Sequence, residues 1–309
     1  MNNRGFSIIE ILVVIAILSI LAGGIFSAFQ FMARENAQRH FVAKQEQDTA
    51  VLTSQLTKDI ETAGFGVDRD NLQNISVGNT LTFISLASRE ESRSGCWAMV
   101  RPDRTMDIRS TTYRGVNCDL NPKNFWYVIL DPVSKRNRCP SSSDFLCQCG
   151  VDDTRCDEEY INTLVFFATE RNQLAFPNDF RVTYFLNNAN LPRECAPGTF
   201  NLMKTVGQDN AQPMISCVQS FIVRAYVGNE NNPQLDNSIG DLSNFRNMIR
   251  LCMIIQVGGR QTTSTNLPQF SNECGGGPNV DNNWWNNVGR WYRWKVIEQD
   301  IVLRNYQAR

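Results

Sequence analysis

The chain has little of what catalysis draws on. Its 309 residues include a single histidine, His40, which lies on a stretch that reads as helix and serves there as a solvated or packed residue rather than a general base. No phosphate-cradling Gly-x-x-x-x-Gly-Lys-Ser/Thr loop is present. Gly275-Gly276-Gly277 is followed by Pro278 in a polar stretch and reads as a flexible turn. Neither charge dominates: 30 Lys and Arg stand against 31 Asp and Glu, whereas general nucleic-acid binding favours a strongly basic face. Proline is missing before Pro102 and cysteine before Cys96. The lack of proline means that nothing forces an early helix to break. From Ile11 to Met32 there is no formal charge at all.

That run is what the chain does have. A helix needs about 20 apolar residues to span a bilayer, and only Ser19, Gly23, Gly24, Ser27 and Gln30 weaken this one. Arg4 before it and Arg34 after it give little charge contrast, so flanking charge sets no firm orientation. A lone acid, Glu10, stands at its edge. A carboxylate beside a membrane span is costly to bury and normally finds a partner. A secretory signal would place a small-residue cleavage site after the run. Ala22-Gly23-Gly24 could serve, but the apolar run continues past it and Glu10 is left unexplained. A plain anchor accounts for the hydrophobicity alone.

Gly5-Phe6-Ser7-Ile8-Ile9-Glu10, in register with the run, resembles the prepilin motif of type IV pilins and type II secretion pseudopilins. The resemblance implies cleavage between Gly5 and Phe6 by a membrane prepilin peptidase on the cytoplasmic side, N-methylation of Phe6, and Glu10 as fifth residue of the mature chain. It also implies that the new Phe6 amine of an arriving subunit pairs with Glu10 of its neighbour. A buried, unpaired carboxylate costs several kcal/mol, so Glu10 would check the stagger during assembly.

The helix should run on past the membrane. Phe41, Leu52, Leu56, Ile60 and Ala63 recur at spacings compatible with one helical face. Lys44, Glu46, Asp48, Lys58 and Asp59 mark the other positions. Gly64-Phe65-Gly66 is the expected stop. The expected organisation is a leader over 1–5, a long helix over 6–63 (core half 6–32, amphipathic half 33–63) and a β-rich head over 64–309. Strand-like runs fall at Leu81–Ala87, Phe125–Leu130, Thr163–Thr169, Arg181–Leu186, Ser220–Val227, Ile249–Val257 and Trp291–Ile297. Polar stretches at Gly228–Pro233, Thr262–Pro268 and Cys274–Asn283 read as surface loops. The fold class is α+β: a pilin-like long helix packed on an antiparallel sheet, with disulfide-tied loops.

Ten cysteines, Cys96, Cys118, Cys139, Cys147, Cys149, Cys156, Cys195, Cys217, Cys252 and Cys274, all follow the apolar run. An even count in a part that the resemblance places outside the cytoplasm reads as up to five disulfides. Connectivity stays open, although Cys147 and Cys149 are too close in sequence to bond each other well. The cluster Cys139–Cys156 is dense enough to weigh zinc, but it lacks a Cys-x-x-Cys pair and a nearby histidine. No metal or other cofactor is expected. The acidic stretch Asp152, Asp153, Asp157, Glu158 and Glu159 has no calcium-loop spacing and reads as a solvated loop. Trp284-Trp285 lies among asparagines in an expected loop, where exposed aromatics suit partner contact.

Leu56-x-x-Asp59-Ile60-x-x-Ala63-Gly64-Phe65, Val182–Leu186 with Leu191-Pro192-Arg193, Val218-x-x-Phe221-x-Val223-x-x-Tyr226 and Val302–Asn305 together resemble PilW-type minor pilins. This resemblance implies a minor pilin that helps prime type IV pilus assembly at or near the tip. A J-type secretion pseudopilin shares the architecture with a smaller head. A tip adhesin mounted on its helix is the binding alternative. The implied partners are the prepilin peptidase, major and minor pilins, the assembly platform and a tip adhesin. The implied site is the inner membrane in a single pass with the head in the periplasm, then the extracellular pilus. No nucleophile–base pair can be assembled, so no enzyme is expected.

Overall fold

The computed structural model describes residues 8–67, 75–87, 96–100, 106–108, 112–113, 116–117, 126–130, 147–148, 164–168, 180–207, 209–229, 232–240, 242–276 and 280–306. Helix α1 runs from Ile8 to Glu61, roughly 80 Å at 1.5 Å per residue. It ends two residues before the expected Ala63: residues 62–66 form a turn, with Gly64 and Gly66 at φ 75° and 72°. A side chain on Gly66 would run into Leu86, so glycine is required there for space as well as for backbone.

Strands follow in chain order: β1 Leu81–Ile84, β2 Cys96–Val100, β3 Met106–Ile108, β4 Thr112–Tyr113, β5 Val116–Asn117, β6 Trp126–Leu130, β7 Cys147–Gln148 and β8 Leu164–Ala168. Then come β9 Arg181–Asn187, β10 Phe200–Val206, β11 Gln212–Asn229, β12 Asn232–Asp236, β13 Phe245–Gln256 and β14 Trp294–Val302, with a short helix α2, Asn282–Asn287, before the last. The principal sheet has seven antiparallel strands in the order β1-β9-β10-β11-β13-β14, with β12 hairpinned onto β11. A five-stranded sheet, β3-β2-β8-β6-β7, and the β4-β5 hairpin are built from the stretch 96–168. The fold is therefore α+β, a long helix against an antiparallel sheet.

Some strands differ from expectation. β10 (Phe-Asn-Leu-Met-Lys-Thr-Val) carries Asn201 and Lys204, which disguise its alternation. β11 is longer than its apolar half, and β12 occupies part of the stretch read as a loop. Trp291 belongs to a short 3-10 turn, Gly289–Trp291, and the strand begins only at Trp294.

Leu56 and Ile60 of α1, with Ala63 of the turn that follows it, pack with Phe83, Tyr184, Leu202, Phe221, Leu251 and Ile301 in one buried cluster. Alternate residues of β13 point to opposite faces. Leu251, Met253 and Ile255 join that cluster, while Cys252 and Ile254 meet Phe270 and Cys274 on the other side. From Leu251 to Gln256, β13 is thus buried on both faces.

One expectation fails on α1. Asp59 was assigned to the polar face, yet it is only 8% exposed. Its carboxylate accepts from Lys204 Nζ at 2.7 Å and from the Tyr184 hydroxyl at 3.0 Å. A buried charge persists only when paired and hydrogen-bonded, and β9 and β10 supply both partners.

On the outer face, Arg250 bridges Glu273 (2.5 Å), Asp300 (3.1 Å) and Glu298 (3.4 Å). Ser271 donates to Glu298 from its backbone N–H at 2.7 Å and its hydroxyl at 2.6 Å. Burial alone would push the Glu298 carboxyl up, but the Ser271 donors and the Arg250 guanidinium outweigh it and hold it below the usual carboxylate range.

Two disulfides close this part of the chain, Cys195–Cys217 and Cys252–Cys274, each across a separation of 22 residues. Loops of that length correspond to about 3 kcal/mol each through the unfolded chain.

Lys204→Met should cost about 3–5 kcal/mol by leaving Asp59 buried without its cation, and adding Asp59→Asn should recover most of it. Denaturant unfolding of the full chain in detergent measures both. A lowered Glu298 pKa means that its contribution is complete above the unfolded value near 4.5 and is lost as pH falls through the folded value. Glu298→Gln should accordingly flatten the acid limb of the stability curve, read as thermal midpoints from about pH 6 to about pH 3.

Candidate assembly interface

The two halves of α1 meet different surroundings. Leu12–Ala33, 22 residues, is long and apolar enough to cross a membrane, and nothing in the described chain buries it. Leu12 is 61% exposed and Phe29 69%. At about 25 cal/mol per Å² of apolar surface, this stretch is strongly unfavourable in water. Lipid or other helices must cover it. Gly23 and Gly24 have open space around the positions where side chains would sit.

Beyond the span, α1 lies along the head. Val42 and Gln45 meet Gly258, whose N–H donates to the Gln45 side chain. Thr57 donates to Gln299 of β14 at 3.2 Å. Asn305 donates to the Ala63 carbonyl at 3.0 Å, capping the turn after the helix. β14 and α1 enclose a groove of about 460 Å³ lined by Thr53, Thr57, Lys58, Lys295, Ile297 and Gln299.

The structure brings some of the expected residues together and not others. Glu10 stands in the first turn of α1, two residues ahead of the span. Gly5 and Phe6 lie outside the described residues, as do Cys118, Cys139, Cys149, Cys156 and the acidic stretch 152–159. Cys96 opens β2 and Cys147 opens β7. His40 lies on α1. Among the described residues, no three His, Cys, Asp or Glu side chains gather into a metal-binding group.

Trp284 and Trp285 are not in a loop. They lie on α2, whose amino end is capped by the Asp281 side chain accepting from the Asn283 N–H. Both are half-buried. The Trp284 indole donates to the Pro197 carbonyl at 2.6 Å and its ring meets Trp294 edge-on at 5.6 Å. The asparagines that read as loop are helix here because Asp281 caps the turn and the tryptophans anchor it. Asp59 is likewise hidden from the sequence, since an acid on an amphipathic helix reads as solvated until its cation is found on a distant strand.

Residues 1–26 match the family model of the prokaryotic N-terminal methylation motif. No curated protein and no solved structure matches the chain. The amino terminus carries the methylation motif found in type IV pilin- and pseudopilin-like proteins. The motif implies processing by prepilin peptidase and a role in pilin assembly, with anchoring in the membrane beforehand. The match ends within the span, so the likeness of the head to PilW-type proteins rests on its residues alone.

Replacing Leu21, in mid-span, by Arg should raise the cost of insertion by about 3 kcal/mol. Alkaline extraction of membranes should then release the variant where the parent chain is retained.

Proposed function

We propose that this chain is a minor pilin of the type IV pilus, of the PilW type, that helps to initiate filament assembly and sits at or near the tip. Cleavage after Gly5 frees Phe6, which is methylated. An α-amine has a pKa near 8, so it is largely cationic at neutral pH, and methylation leaves that charge in place. Glu10 of an adjoining subunit pairs with it as the apolar helices pack side by side. Before assembly the chain spans the inner membrane once and its head occupies the periplasm.

The observation that carries this reading is the methylation motif set in register with an apolar span, on one continuous helix, that no described residue covers. The head favours a minor over a major role. Its seven-stranded sheet and additional five-stranded sheet make a bulky unit, better suited to an end or a rare position than to a tightly repeated shaft. The same bulk favours a pilus over a secretion pseudopilin of the J type.

Two measurements test it. Mass spectrometry of the native chain should find Phe6 at the amino terminus with one added methyl group; a chain still beginning at Met1 refutes processing. Glu10→Ala should leave cleavage intact and lower the number of surface filaments several-fold. Normal piliation by that variant would remove the pairing model, and a loss of protein secretion with intact pili would reassign the chain to a secretion system.

A further inference from the structure

The expected partner-binding tryptophans stand at a definite end of the head. A continuous set of hydrogen bonds leads to them from α1. Gln45 accepts from Gly258. The Gln256 side chain donates to the carbonyls of Gly258 and Glu194, both at 2.8 Å, and accepts from the Ala196 N–H at 2.6 Å. Pro197 then accepts from Trp284, and Gly289 accepts from the Trp294 indole at 2.8 Å. The opposite end of the same strands meets the far end of the helix, through Gln299 with Thr57 and Asn305 with Ala63. The tryptophan cluster therefore occupies the end of the head nearest the span.

The chemistry of this rim is distinctive. Arg290 lies 5.0 Å above the Trp291 ring. Among the described residues the indole N–H groups of Trp284 and Trp294 are used within the fold, while those of Trp285 and Trp291, both half-buried, meet no acceptor. Rings that are half-covered, with a polar handle unspent, suit a boundary between oil and water. Arg193, Arg260, Arg290, Arg293 and Lys295 are set against Glu194 and Asp281 in the segments that form the rim. Further along β14 the sign reverses at Glu298 and Asp300.

We propose that this aromatic and cationic rim rests on an anionic lipid surface while the chain is still in the membrane. The inference rests on the single-span reading given above. Val42 and Gln45 are nine and twelve residues beyond Ala33, so the rim begins roughly 14–18 Å along the axis from the end of the span. Headgroups fill about 5–7 Å of that distance. A tilt of about 20°, ordinary for such helices, lowers the side of the head toward which the helix leans and narrows the remainder. Lipid contact would hold the head at a fixed lean. Entry into a filament would then require the rim to be released.

The test uses the full chain in nanodiscs of phosphatidylcholine, alone or mixed with phosphatidylglycerol, doped with a headgroup-nitroxide lipid that quenches tryptophan fluorescence. Both faces of a nanodisc are alike, so orientation does not enter. Quenching should be at least twofold greater with phosphatidylglycerol and should fall when salt is raised to about 1 M. Arg293→Glu with Lys295→Glu, two exposed positions, should abolish the lipid dependence, and Trp285→Phe should lower the quenched amplitude; unchanged circular dichroism keeps both readings interpretable. Insertion with quenching indifferent to lipid charge and to the reversal overturns the proposal alone, as does a rim that is quenched only after a second pilin subunit is added. A chain that does not enter the nanodiscs overturns the span itself, and the proposal with it.

Discussion

Desolvation of α1 is divided near Ala33. Before it, a 22-residue apolar stretch finds no cover in the described chain. After it, Leu56, Ile60 and Ala63 vanish into the head. One secondary structure is thus asked to satisfy two environments, and the backbone hydrogen bonds of a helix are what allow it, since they are closed within the segment whatever surrounds it. The head is organised around receiving the second half. The second half of β13 is buried on both faces because one side joins the core under the helix and the other is covered by the loop that Cys252–Cys274 ties down.

The inner attachment is polar at its most buried points. Asp59 draws Tyr184 and Lys204 onto the helix from two neighbouring strands, and Gln256 links β13 to the loop after β9. Cys217 adopts a positive φ of 59°, uncommon for a residue with a side chain. It sits where the pairing of β11 with β10 shifts register, just before a second shift against β13, and its disulfide to Cys195 ties this irregular stretch to the loop before β10.

Much of this was open to a reader of residues. The apolar run, the Gly-Phe…Glu spacing and the glycines at 64 and 66 each express a local rule, so the span, the motif and the end of α1 could be read directly. Strands dense in apolar residues were equally visible: Arg181–Leu186 is nearly all of β9, and Ile249–Val257 is the apolar two-thirds of β13. What escaped depends on partners far away in sequence. Asp59 reads as solvated until Lys204, 145 residues on, is brought beside it, and β10 reads as irregular for the same reason. Trp284 and Trp285 were seen as exposed because nothing local announces that Pro197 and Trp294 enclose one of them. Disulfide pairing is likewise a property of the folded register, which is why Cys195–Cys217 and Cys252–Cys274 could not be chosen from among the alternatives.

The alignment of β13 and β14 with α1 has a mechanical consequence. The strands are fastened to the helix near Gln45, Thr57 and Ala63, so they run beside it and not across it. A pull on the helix from its amino end, with the head held, drags the ladder lengthwise. Its rungs are then strained together in shear instead of being unzipped one after another. A subunit joined in this way can pass traction from its anchor to whatever the head grips while the sheet remains whole.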